Sequence, residues 1–179
     1  MGKAPLETDD AIVLLVGAPG ADRPGYLEGV TRLEKLVFLL ERETPVRDWL
    51  TETADFRSWR FGPFSSKVYQ AADTLAAAEI IRDSASSART SEDTWESLSA
   101  LMDSEDIDPF TTRTFELTDD RGKRYYRALI DELPPDAEEI LSDFKQKFAR
   151  LPLRQLVRYV YERYPQFTDK SEIRDQVLH

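Results

Sequence analysis

Phe56-Arg-Ser-Trp-Arg-Phe-Gly-Pro-Phe-Ser-Ser-Lys-Val-Tyr-Gln-Ala-Ala72 decides how this chain is read. Phe56, Trp59 and Phe61 stand among charged residues, which predicts a short strand, and Gly62-Pro63 ends it. Ser65 or Ser66 then caps a helix carrying Val68, Tyr69, Ala72, Leu75 and Ala76 on one side.

Upstream, Thr31 and Glu34 have the spacing of a capping box, and Leu33, Leu36, Val37 and Leu40 follow at i, i+3, i+4 and i+7. Phe38 and Leu39 widen that apolar face, so the helix is expected to be deeply buried. Residues 46–54, around Trp49 and Leu50, add a helical turn or two. Residues 9–17 begin with two aspartates and end on Gly17, as a helix does, and the prolines and glycines of 18–25 form a loop. Downstream, Ile80-Ile81-Arg82 opens an extended segment that pairs with Arg113 to Leu117, where Thr114 and Phe115 favour strand.

The C-terminal third reads as helices. Asp119 to Leu133 carries Tyr125, Leu129 and Ile130, and Pro134-Pro135 breaks it. Ile140, Phe144 and Phe148 then mark one helix, and Leu153, Leu156, Val157, Val160, Tyr161 and Tyr164 mark another, closed by Pro165. Ser171 can cap a last turn containing Ile173 and Val177. The expected fold is mainly α with a small β-hairpin: a winged helix-turn-helix core over 8–131 and a helical extension over 134–179. Leu36, Val37, Leu40, Trp59, Phe61, Leu75, Ile80 and Phe115 should be buried together.

Four blocks carry a family resemblance. They are Thr31-Arg-Leu-Glu-Lys-Leu-Val-Phe-Leu-Leu40, Arg60-Phe-Gly-Pro-Phe-Ser-Ser-Lys-Val-Tyr69, Ala77-Ala-Glu-Ile-Ile81 and Phe115-Glu-Leu-Thr-Asp-Asp-Arg-Gly122. In this order the chain resembles the YwgA-like winged-helix proteins over residues 8–130, and its Gly-Pro-Phe-Ser is similar to a stretch of the Panacea domain of antitoxins. The resemblance implies a winged helix, which presents its third helix to the DNA major groove and its hairpin tip to the backbone. Two departures stand out: a longer, more acidic wing and the helical extension.

Composition narrows the function. The 179 residues are 41% apolar, enough for a core, and carry a net charge of −10, which disfavours indiscriminate nucleic-acid binding. There is no cysteine and a single histidine, His179. Thiolate metal sites, Ser-His-Asp triads and imidazole acid–base schemes therefore lack their residues, and a non-enzymatic protein without metal or cofactor is expected. Asp136 with Asp143 and Lys145 mimics the spelling of a nuclease motif, but those acids fall in one helix rather than on adjacent strands. No basic leader and no apolar run of membrane-spanning length occurs, so a cytoplasmic protein without membrane contact is expected.

Two basic surfaces and one acidic stretch are the candidate sites. Arg57, Arg60 and Lys67 lie in an acid-free segment, and Ser65, Ser66, Lys67 and Gln70 open the third helix, where contacts to double-stranded DNA would sit. Lys145, Lys147, Arg150, Arg154 and Arg158 form a second basic face on the helical extension. Residues 91–112 hold seven acids and no base, and Trp95, Leu98 and Met102 are spaced as apolar anchors within them. That stretch is a solvated loop, a cover for the basic face, or the site of a protein partner. The leading expectation is a DNA-binding transcription regulator, and the alternative is an antitoxin-like or defence-accessory protein-interaction module. A homodimer would double the contact surface of so small a DNA-binding domain.

Overall fold

The computed structural model describes residues 6–20, 25–59, 62–83, 114–171 and 174–178. These residues are mainly helical, with two small antiparallel sheets among them.

Helix α1 (Thr8–Gly17) opens where the backbone N–H of Glu7 donates to the Asp10 carboxylate at 2.9 Å. Ala11 to Val16 are buried on every side, so this helix runs through the interior. Strand β1 (Tyr26–Glu28) follows, then α2 (Val30–Glu43). Helix α2 has Gly29 (φ +94°) as its N-cap, two residues before the expected cap at Thr31. Thr31 and Glu34 are both buried, and Glu34 turns away to another partner, so no capping box forms there. The apolar stripe itself is where the sequence puts it, with Leu33, Leu36, Val37 and Leu40 fully buried. Each such side chain contributes roughly 1.5–3 kcal/mol by leaving water.

After the short helix α3 (Val46–Trp49) come β2 (Arg57–Trp59) and β3 (Gly62–Phe64), paired antiparallel with Trp59 opposite Gly62 and Arg57 opposite Phe64. Gly62-Pro63 therefore does not terminate the strand; it belongs to the returning arm of a hairpin. In a two-stranded sheet every strand is an edge, and proline is tolerated there. Helix α4 (Ser66–Ala77) begins as expected: Ser65 is its N-cap and accepts the Val68 N–H.

Strand β4 (Ile81–Asp83) pairs with β5 (Thr114–Leu117), and β1 pairs with the other edge of β5, giving the order β1-β5-β4. The three-residue β1 lies just after the predicted loop 18–25 and was not foreseen. Helix α5 (Arg121–Glu132) follows at once. Its Gly122 approaches the Ile80 carbonyl so closely that a Cβ would lie 2.2 Å away. Helices α6 (Ala137–Phe148) and α7 (Leu153–Arg163), a 3₁₀ turn (Pro165–Phe167) and α8 (Arg174–Leu178) complete the order.

The helices after residue 134 share the core of the rest: Leu141, Phe144, Phe148, Leu156 and Val160 join one cluster with Leu36, Leu75 and Phe115. Phe38 of α2 meets Phe56, Tyr164 and Phe167 edge-on at 5.0–5.1 Å between ring centroids. Leu36, Val37, Leu40, Leu75 and Phe115 are buried together as expected, and Ile80 packs partly buried against them. Trp59 departs from that expectation: it is 47% exposed, because its place on β2 points it out of the hairpin. Phe61 lies outside the described residues. Among the described residues no helix is long and apolar enough to cross a membrane.

Candidate docking face

Buried polar side chains of α2 build the platform on which the hairpin and α4 rest. Glu34 accepts the backbone N–H of Ser65 at 3.1 Å, and Lys35 donates its ammonium to the Pro63 carbonyl at 2.9 Å. About two turns on, Glu41 accepts the Ala54 N–H at 2.8 Å. Ser65 closes the frame by donating its hydroxyl to the Ala54 carbonyl while capping α4. Burial pushes the Glu34 carboxyl up and the Lys35 ammonium down, and the attraction between the neighbours opposes both shifts. Removing one partner of such a buried pair costs about 3–5 kcal/mol, whereas the intact pair is close to neutral for stability.

The far end of the hairpin is held by the C-terminal helices. Gly62 sits at φ +87°, and a Cβ there would come within 2.6 Å of the Tyr161 ring of α7. The backbone N–H of Lys170 donates to the Ser58 hydroxyl at 3.1 Å. The hairpin is thus fixed from both sides, and what it exposes is a rigid surface.

That surface carries Arg57, Trp59, Ser66 and Gln70, all exposed. Lys67 is half-buried and already paired, with Asp55 at 3.0 Å and Glu52 at 3.7 Å, and it donates to the Thr53 carbonyl at 3.4 Å. The bond to Asp55 raises the Lys67 pKa and lowers that of Asp55. Ser65 is only 1% exposed, its backbone N–H and hydroxyl consumed by the frame, so it cannot contact a partner as the sequence suggested. Farther along α4 the exposed residues are Asp73, Thr74 and Ala77, so no exposed residue of this helix is basic. Arg60 lies outside the described residues, as do the acidic stretch 91–112 and its Trp95, Leu98 and Met102.

The second basic face loses one member. Lys145 is fully buried and donates to the carbonyls of Val16 at 2.6 Å and Ala18 at 2.8 Å, at the C-terminal end of α1. Orphan carbonyls and the negative end of a helix attract an ammonium there. Lys147, Arg150 and Arg154 are exposed; Lys147 stands 4.8 Å over the Phe148 ring. Arg158 forms an ion pair with Glu162 at 2.9 Å.

The chain matches no family model, no curated protein and no solved structure. Among the described residues no group of three or more histidine, cysteine or carboxylate side chains is placed to hold a metal.

Sequence reasoning missed Glu34 and Lys35 as the hinge of this face. Their signal was present: two adjacent charges inside the apolar run Leu33 to Leu40.

Proposed function

We propose that this chain is a non-enzymatic protein-interaction module of the winged-helix type, and that it docks its partner on the β2–β3 hairpin and the start of α4 around Trp59. The observation that carries this reading is the charge of the face. Lys67 is neutralised by Asp55 and Glu52, the exposed side of α4 has no base, and an exposed tryptophan stands beside it. Phosphate-dominated recognition needs uncompensated cations, whereas a half-exposed tryptophan on a rigid frame is typical of an interface anchor. The element order supports the winged-helix type: α1, β1, α2, then α4 as the third major helix, then β4 and β5 beside β1.

The order of elements also favours a second reading, a DNA-binding regulator. In it Arg57 and Arg60 contact phosphates, and Ser66 and Gln70 read bases from the start of α4. The two readings separate with purified components. A protein recovered with the tagged chain after nuclease treatment is identified, purified and titrated calorimetrically against wild type and Trp59→Ala. The docking reading expects at least a tenfold loss of affinity in the variant. Unchanged affinity, or a gel shift near physiological salt whose salt slope falls by about one unit on Arg57→Ala, would replace it with the DNA reading.

A further inference from the structure

A sheet edge offers its backbone to another chain, and the outer edge of β2 is such an edge. Ser58 stands directly opposite Pro63. Proline has no N–H, so these two residues cannot exchange ladder hydrogen bonds. The bonds of the hairpin therefore fall at Arg57–Phe64 and Trp59–Gly62. In that alternation the N–H and C=O of Ser58 point away from β3, out of the free edge. Neither has a partner among the described residues. Arg57 and Trp59 are exposed and Ser58 is half-buried, so this stretch of backbone can be approached. Other edges are closed: Lys35 takes the Pro63 carbonyl of β3, and on β4 Ile81 and Asp83 are 1% and 7% exposed.

The side chains define what fits. Successive strand residues alternate between faces, so Arg57 and Trp59 share one face about 7 Å apart. Ser58 is on the other, where its hydroxyl takes the Lys170 N–H. Arg57 forms no ion pair among the described residues, and Asp55, which feels its charge, is bonded to Lys67 at 3.0 Å. An added antiparallel strand would set one residue opposite Ser58 and exchange two hydrogen bonds with it. The residue before would lie beside Trp59 and the residue after beside Arg57. An apolar side chain suits the indole, and a carboxylate suits the guanidinium. A second copy pairing through the same edge would leave Arg57 without an anion and bring together two chains of net charge −10.

We propose that the outer edge of β2 takes an extended segment of a partner protein as a third, antiparallel strand, reading from its N-terminus apolar residue, any residue, Asp or Glu. This rests on the docking reading around Trp59 and adds to it the partner's backbone conformation and its side-chain order.

The probe is the peptide acetyl-Thr-Thr-Ile-Thr-Glu-Thr-Thr-amide, titrated into the isotopically labelled full chain while the Ser58 amide and the Trp59 indole N–H are followed by NMR. The expected result is a saturable shift of both signals, with a dissociation constant on the order of 1 mM. N-methylation of the threonine between isoleucine and glutamate removes its main-chain donor and should weaken binding about tenfold. Reversing the order to Glu-Thr-Ile should weaken it about fivefold, as should Trp59→Ala. Arg57→Glu should cost about fivefold as well, and a peptide with lysine in place of glutamate should restore the affinity of that variant. Both substitutions alter exposed side chains and keep the fold. Binding that ignores the N-methyl group but needs Trp59 overturns the added strand and leaves the docking reading standing. Binding indifferent to Trp59→Ala overturns both. The absence of a saturable shift up to about 5 mM peptide also refutes the added strand. So does a Ser58 shift that depends on protein concentration alone, which assigns the edge to a second copy, or displacement of the peptide by a DNA duplex near physiological salt.

Discussion

Replacing Lys145 by methionine should destabilise the protein, and by an amount that grows with pH. Its ammonium makes two buried hydrogen bonds, to the carbonyls of Val16 and Ala18. At roughly 1.5–3 kcal/mol for a bond to a charged group, the pair contributes about 3–6 kcal/mol gross. Burial opposes this: it pulls the Lys145 pKa from 10.5 down to about 8, a penalty of roughly 3 kcal/mol on the charged form. The difference predicts a loss of about 0–3 kcal/mol for Lys145→Met at pH 7. Between pH 8 and 10.5 the unfolded chain binds the proton that the folded chain has released, so wild-type stability rises with pH across that window. The rise amounts to about 2 kcal/mol between pH 7.5 and 9.5. Methionine has no proton to release, so the gap between the proteins widens by that amount. Other groups titrate in both and cancel. Urea unfolding of both proteins at pH 7.5 and 9.5 measures the gap directly. A gap that stays constant or narrows would refute the reasoning, because the carbonyls would then favour the ammonium as strongly as burial disfavours it.

Gly62→Ala combines a left-handed backbone with a Cβ 2.6 Å from the Tyr161 ring, and should lower stability by about 2–5 kcal/mol in urea unfolding. Unchanged stability would mean that the hairpin does not rest on α7. Ser65→Ala removes the α4 cap and the bond to Ala54, with an expected loss of about 1–3 kcal/mol by thermal melting. Trp59→Ala should change stability by about 1 kcal/mol or less while abolishing partner capture; a large drop in melting temperature would make Trp59 a core residue instead.

The parts of the fold that were legible in the sequence are those with local periodicity or punctuation. The stripe of α2 and the serine cap of α4 announced themselves, as did the β4–β5 pairing and the breaks at Pro134-Pro135 and Pro165. Strand β1 was not legible, because three residues are too few to show a period of two and its pairing partner lies some ninety positions away, with Leu27 opposite Phe115. The candidate face was legible in position but not in charge. The run 56–72 is acid-free along the chain, yet Glu52 and Asp55 just upstream fold back onto Lys67. Charged residues of the interior were misread for the same reason. Lys145 looks like a member of a basic row, and only the arrival of α1's carbonyls from far upstream shows why it is buried.

That long reach bears on how the molecule comes into being. Helix α1 is apolar all round, and the residues that cover and terminate it include Tyr126, Phe144 and Lys145. Between Val16 and Lys145 a ribosome must add 129 residues, and at about 5–20 residues per second the first helix waits roughly 6–25 s for the last of its covering. During that interval a run of six buried side chains, Ala11 to Val16, is open to other nascent chains. Synthesis of this protein should therefore depend on chaperones that hold apolar segments, and moving residues 8–17 behind α8 by circular permutation should relieve that dependence.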